Sequence, residues 1–249
     1  MSDLASRQFS PRAAAYVSSA VHAAGADLEA LKSFVTAQGF ARVLDLGCGG
    51  GHVSFTMAPH AGAVVAYDLS QAMLAVVAQE AQSRGLTNIS TVQGAAETLP
   101  FANASFDFVA TRYSAHHWLD VPAALHEVHR VLKPGGALMV MDGVAPEDPA
   151  SDTFLQTIEM LRDPSHVRDY SVREWEAMLR EAGFTPEPPV RARLRLEFKS
   201  WIARMQTPAV LSTAITALQA TAQDSVRARL GLEPDGSFQL DTASILARR

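Results

Sequence analysis

Residues 43–51 read V-L-D-L-G-C-G-G-G, an apolar run carrying one acid that breaks into four glycines among five residues. Val43, Leu44 and Leu46 predict a buried parallel strand, because no polar face alternates with the apolar one. The glycines end it. A glycine-rich turn between a strand and a helix lets a ligand approach the backbone with no Cβ in the way. It also aims the helix's free N–H groups at that ligand, the way nucleotide-like cofactors bind.

Two such cofactors compete, and spacing separates them. A dinucleotide fingerprint needs G-x-G-x-x-G. Here Gly47, Gly49 and Gly51 give G-x-G-x-G, and His52 stands where the last glycine of the dinucleotide pattern belongs. Asp68 closes the next apolar run, A-V-V-A-Y at 63–67. An acid there can accept hydrogen bonds from both ribose hydroxyls, and Asp45 can face an ammonium group. S-adenosylmethionine has both.

The chain resembles the class I S-adenosylmethionine-dependent methyltransferases, most closely the group containing the ubiquinone and menaquinone C-methyltransferases. The resemblance spans residues 9–184. It rests on VLDLGCGGG, YDLS at 67–70, QGAAETLPF at 93–101, SFDFVATRYSAHHW at 105–118 and EVHRVLKPGGALMVMD at 127–142, in the order that fold requires. It implies a Rossmann-like, doubly wound α/β sheet of seven mostly parallel strands with an antiparallel last strand, and helical insertions near the C-terminus. It also implies S-adenosyl-L-methionine bound by Asp45, Gly47, Cys48, Gly49, Gly51 and Asp68, with Leu69 and Met73 against the adenine and Arg112 in the same set. Relatives place Asp after Gly94 to read the adenine amine. This sequence has Ala95, so backbone groups of Ala95 and Ala96, a water, or Glu97 must substitute. The segment 9–16 looks like the piece that folds over the cofactor in relatives. Arg12 and Tyr16 could reach its carboxylate or methyl group there, or Tyr16 could simply pack its helix.

Composition narrows the rest. The 249 residues suit one α/β domain: a helical lid over 1–39, a cofactor core over 40–145, and the remaining sheet with substrate-side insertions over 146–249. With 48% hydrophobic and 19% charged residues, no run approaches the roughly 20 apolar residues of a membrane helix. The alanine-rich 12–26 stretch lacks the Leu/Ile/Phe core of a secretory signal and reads as a surface helix. The single Cys48 suits a reducing cytoplasm, and a net charge of −5 offers phosphate backbones no attractive field. The expected partner is a small molecule, not nucleic acid or membrane; oligomeric state is not legible.

Along the chain, Asp27 opens a helix with Leu28, Leu31, Phe34 and Val35 on one face, and Gly39 ends it. Ser70 caps the helix after Asp68, and Gly85 closes it. Pro122 starts a helix that turns Ala124, Leu125, Val128, Val131 and Leu132 inward and His126, Glu127, His129 and Arg130 outward. Its His-Glu-Val-His is one residue short of H-E-x-x-H and faces away from the crevice, so no metal site is expected. Helices are predicted over 152–162 and 171–181, joined by the polar loop R-D-P-S-H-V-R at 162–168, which suits substrate contacts or a solvated connector. Arg191, Arg193 and Arg195 alternate along a strand, reading as a solvated face. Residues 201–230 are helical and broken at Pro208, and a last strand covers 237–246.

The loop after strand four, R-Y-S-A-H-H-W at 112–118, borders the expected crevice. It has neither the Pro-Pro-aromatic motif of amine-methylating nucleic-acid enzymes nor the Pro-Cys of cytosine C5 enzymes. His117 is the first candidate for a general base, because an imidazole titrates near neutral pH; His116 and Tyr113 are alternates. Cys48 alone cannot support arsenite methylation, which needs several thiolates. The competing readings are a non-catalytic S-adenosylmethionine-binding protein and a nicotinamide dehydrogenase, the latter disfavoured by His52.

Overall fold

A computed structural model describes Leu4, Gln8 and residues 25–249; Arg12 and Tyr16 lie outside the described residues. Helix α1 (Ala26–Gln38) precedes β1 (Arg42–Leu46), α2 (His52–Met57), β2 (Ala63–Asp68), α3 (Gln71–Ser83), β3 (Ile89–Gln93), β4 (Phe106–Arg112), α4 (Val121–Val131) and β5 (Leu132–Gly143). Then come α5 (Pro149–Arg162), α6 (Val172–Glu181), β6 (Thr185–Pro186), β7 (Val190–Leu196), α7 (Phe198–Met205), α8 (Ala209–Thr221), α9 (Asp224–Leu230) and β8 (Phe238–Arg248).

The sheet runs β3-β2-β1-β4-β5-β8-β6, with β7 also on β8. Strands β1 to β5 pair in parallel, and β8 is antiparallel to β5, β6 and β7. Eight strands stand where seven are expected, because the sixth is split. Glu187-Pro188-Pro189 separates β6 from β7, and proline has no N–H for the ladder. Register shifts by one residue between the pairs Pro186↔Ala247 and Val190↔Ser244, the signature of a bulge. The arginine face of β7 is exposed, with Arg193 paired to Asp241 and Arg195 to Glu233.

Sheet residues bury on both faces. Leu44, Leu46, Val109 and Val140 pack with Leu125 and Val128 of α4 and Trp175 and Leu179 of α6. Val43, Val64 and Phe108 pack with Leu28, Leu31 and Val35 of α1 and Val53 and Met57 of α2. The outward face of α4 is also employed, since Glu127 and Arg130 hold the backbone of Leu99 and Phe101. The strand order reverses between β1 and β4, so the loops after them diverge and leave a crevice at the carboxyl ends.

Caps fix where the crevice helices begin. The Ser70 hydroxyl accepts from Met73 N, and Ser171 with Glu174 forms a full capping box at α6. Ser171→Ala should therefore lower unfolding free energy by about 1 kcal/mol. Urea melts of the two proteins with superimposable midpoints would refute the cap's contribution.

Candidate active site

The glycine turn is tied to β2 before any ligand arrives. The amides of Gly47 and Cys48 donate to the Tyr67 carbonyl (2.8 and 3.0 Å), and Gly51 N closes back on Cys48 O at 2.8 Å. Gly47 and Gly49 take φ of +73° and +48°. A Cβ on Gly49 would meet nothing within 4 Å, which leaves its surface open to a ligand.

Asp68 holds this geometry, one oxygen accepting from Gly49 N (2.9 Å) and the other from Ser70 N (2.8 Å). Burial raises its carboxyl from the usual range, opposed by those amides. Each oxygen keeps a second lone pair for ribose hydroxyls. Asp45 is 1% exposed, and its Oδ2 accepts from Ser54 N (2.8 Å) and Oγ (2.6 Å). Burial pushes its carboxyl up to about 7, against the Ser54 hydrogen bonds.

Asp45, Gly47, Cys48, Gly49, Asp68, Leu69, Met73, Ala95, Ala96, Glu97, Arg112, Tyr113, His116 and His117 all line one cavity of about 460 Å³. Gly51 does not. It caps α2 at φ +83°, where a Cβ would strike the Phe55 ring at 2.8 Å, so its role is close packing rather than cofactor contact. Glu97 is also reassigned: its Oε1 accepts from Leu119 N (2.9 Å) and Asp120 N (3.3 Å), fixing the approach to α4. The amides of Ala95 and Ala96 meet no acceptor among the described residues. Arg112 reaches sideways, donating from Nε (2.5 Å) and Nη2 (3.2 Å) to Asp27 and anchoring α1 to β4.

Beyond the turn the loop after β4 carries the reactive groups. Tyr113 sits at φ +49°, a left-handed residue at a ligand site, with the Arg112 guanidinium 4.8 Å from its ring centroid. Burial raises its phenol to about 12, which makes it a hydrogen-bond donor and removes it as a base. His117 differs from its neighbour in its partner. Its Nδ1 lies 3.1 Å from the Ser165 carbonyl, and burial together with the neighbouring His116 charge lowers it to about 4. The lowered ring holds a proton less tightly than His116 does.

His116 has the stronger credentials. Its Nδ1 lies 2.8 Å from Asp142 Oδ1, and Asp142 is itself oriented by Ala115 N (3.0 Å) and Gly143 N (2.8 Å). Burial would lower the imidazole, but the Asp142 charge and hydrogen bond overcome it and raise the ring to about 9. Its side chain stays 21% exposed, while Asp142 is 3% exposed.

The 162–168 insertion closes over this pair. The amides of Val167 and Arg168 donate to the His116 carbonyl (2.8 and 3.2 Å), and Glu159, Arg162, Asp163, His166 and Asp169 join the cavity wall. Burial, with the charges of His116 and His117, lowers His166 to about 3, and its Nε2 lies 2.9 Å from Gln156 Oε1. Burial raises Asp169 to about 7, with the His116 charge opposing and Glu159 assisting. Arg162, Asp163 and His166 belong to the polar loop whose sequence suits substrate contacts; Glu159 and Asp169 stand outside that stretch. Asp142 had a signal, an acid at a strand's carboxyl end beside a histidine loop; Asp169 had none, because its place depends on how the insertion folds.

Known proteins share this fold. The Methyltransferase domain family matches residues 44–140. YafE of Escherichia coli K12 is 51% identical over 199 residues, spanning 80% of this chain and 96% of that protein. The methyltransferase YcgJ of Bacillus subtilis is 39% identical over 201 residues, spanning 81% and 79% of the two chains. Its crystal structure superposes with a TM-score of 0.86 at 36% identity, covering 90% of this chain and 97% of that one. A demethylmenaquinone methyltransferase of Chlorobaculum parvum is 36% identical over 109 residues, 43% of each chain. This chain belongs to the S-adenosylmethionine-dependent methyltransferases, whose cofactor fits the open glycine turn, Asp68 and the unpaired amides of Ala95 and Ala96.

Proposed function

We propose that the protein methylates a small molecule held between the cofactor turn and the wall formed by the 162–169 insertion, β7 and α7, with His116 as the proton acceptor. The observation that carries this reading is the Asp142–His116 pair opening into the cavity that Gly47, Gly49 and Asp68 line. A volume of about 460 Å³ lies in the range of small-molecule sites. When bound, S-adenosylmethionine supplies a methyl carbon that is already electrophilic. Asp68 holds the ribose, the turn admits the cofactor at the open face of Gly49, the amides of Ala95 and Ala96 meet the adenine edge, and Asp45 lies on the amino-acid side. The apolar wall excludes water, and His116, aligned by Asp142, takes a proton from the acceptor. A reducing, cytoplasmic setting fits the buried Cys48, and no described helix is long and apolar enough to cross a membrane.

The quinone-methylating relative matches less than half of either chain, so quinones are one candidate class and not an assignment. Incubating the protein with methyl-labelled cofactor and a metabolite extract should yield a labelled small molecule and S-adenosylhomocysteine. An extract that yields neither would sink the reading.

The cofactor half has its own test. Asp68→Ala removes the ribose acceptor and the tether on Gly49, and should weaken S-adenosylhomocysteine binding by on the order of 1 to 3 kcal/mol. Calorimetry showing wild-type affinity in a folded variant would take Asp68 out of the site.

A further inference from the structure

Four aspartates are buried among the described residues, and three have their hydrogen bonds supplied from within. Asp45 accepts two from Ser54, Asp142 one each from Ala115 and Gly143, and Asp163 two from Ser165. Asp169 is the exception. Its backbone is fixed by Gln156, which accepts from Asp169 N (3.1 Å) and donates to Asp169 O (2.8 Å). The residue is 4% exposed and forms part of the cavity wall, and its carboxyl receives no donor from any described residue. Buried polar groups are almost always paired, so a carboxyl held rigidly at a cavity wall without a donor points to one arriving with a ligand.

The neighbours say what kind of donor. A ring nitrogen of His116 and a carboxyl oxygen of Asp169 lie within 4.8 Å of each other. One oxygen atom making hydrogen bonds of about 2.8 Å to both would bridge that gap. A hydroxyl does this: with the ring protonated it accepts from the His116 N–H and donates to Asp169, and when the ring is free it turns that same proton to His116, the transfer proposed above. An ammonium has no lone pair for His116 and would sit against its positive charge. Around this polar end the cavity wall is apolar, with Leu194, Leu196, Trp201, Met205 and Leu240.

We propose that Asp169 and His116 form a hydroxyl-binding subsite, and that the methyl acceptor is an apolar small molecule carrying a hydroxyl at, or next to, the methylated atom. This rests on the methyl-transfer reading above. It makes Asp169 a specificity-determining residue: a site built to pair a hydroxyl leaves a buried carboxyl unmet when the hydroxyl is replaced by an ether.

The probes are phenol, catechol and 2-naphthol with their methyl ethers, titrated by ligand-observed NMR onto protein saturated with S-adenosylhomocysteine. At least one hydroxylated probe should bind roughly tenfold or more tightly than its ether. Asp169→Ala should bring that ratio to within about twofold, and Asp169→Asn, whose amide oxygen still accepts, should keep part of it. Asp169 stands apart from the glycine turn, so retained S-adenosylhomocysteine affinity reports that each variant is folded. Ethers that bind as well as the hydroxyl compounds, a panel in which nothing binds, or a ratio unmoved in Asp169→Ala would each overturn the proposal. Stoichiometric Zn2+ binding lost in Asp169→Ala would also overturn it, because His116, Asp142 and Asp169 would then be holding a cation. Failure of the wild type to bind S-adenosylhomocysteine would instead remove the methyl-transfer reading beneath it.

Discussion

Replacing His116 by alanine is expected to lower single-turnover methyl transfer by roughly 10²- to 10⁴-fold, the range a positioned general base contributes, with S-adenosylhomocysteine affinity nearly unchanged. The expectation follows from the pair at 2.8 Å and from Asp142, whose two backbone donors fix the face it offers to the ring. Asp142→Asn keeps the shape and removes the charge, so it should lose most of the same rate. The pH profile tests the charge directly. His116 is raised to about 9, so at pH 7 roughly one ring in a hundred is free to accept a proton. Transfer should therefore climb with pH towards about 9 in the wild type, and the climb should vanish in His116→Ala. Stability runs the other way: a folded value above the unfolded one of about 6.5 gives stabilisation that is complete below that pH and fades as pH rises through about 9. Equal rates and profiles in wild type and His116→Ala would leave the ring as a packing group and point to an acceptor that carries no proton to lose.

His117 provides the internal comparison. Sequence favours it, because a histidine just past a strand's carboxyl end titrates near neutral pH. Adjacent positions in a loop share that ground equally, and only the partners separate them. Both rings are half-buried, but His117 turns to a backbone carbonyl, while His116 turns to an acid from β5. The same reason explains most of what sequence could and could not deliver. Strand order, the glycine turn and Asp68 rest on local pattern and short-range chain geometry, and they appear where the pattern puts them. Glu97, Gly51 and Arg112 carry the right chemistry at the right distance along the chain, but are drawn to Leu119 and Asp120, to Phe55 and to Asp27. The acceptor end is assembled from β5, α5, the 162–169 loop and α7, segments with no shared local signal, so Asp169 and Trp201 emerge only in three dimensions. The 201–230 stretch shows the same limit. Its first helix, α7, lines the cavity through Trp201 and Met205, whereas Ile215 of α8 packs beside Leu155 and Ile158 of α5.

Gly47→Ala should cost roughly 2 to 5 kcal/mol of folding stability, more than any other single change in the turn, and should disable the catalytic loop with it. Two terms add. The φ of +73° strains any L side chain by about 1–2 kcal/mol. A Cβ would also stand 2.7 Å from Ser114 Cβ and far inside contact distance of its Oγ, an overpacking term of about 1–3 kcal/mol. Ser114 has little room to yield, because its Oγ accepts from Trp118 Nε1 at 3.1 Å and Trp118 is packed into the main core. Pushing Ser114 aside displaces the residue before Ala115 and His116, so the Asp142–His116 alignment fails even where the protein stays folded. Gly49→Ala is the control: its φ of +48° carries a similar backbone strain, but its Cβ meets nothing within 4 Å. It should melt nearer the wild type while losing cofactor affinity, since that Cβ occupies the ligand's approach. A double change, Gly47→Ala with Ser114→Gly, removes the clash and leaves the φ strain. Thermal and urea unfolding of the four proteins of this cycle should give a favourable coupling of about 1–3 kcal/mol, the steric term alone. Strict additivity across the cycle would show that the Gly47–Ser114 contact is not what the glycine protects.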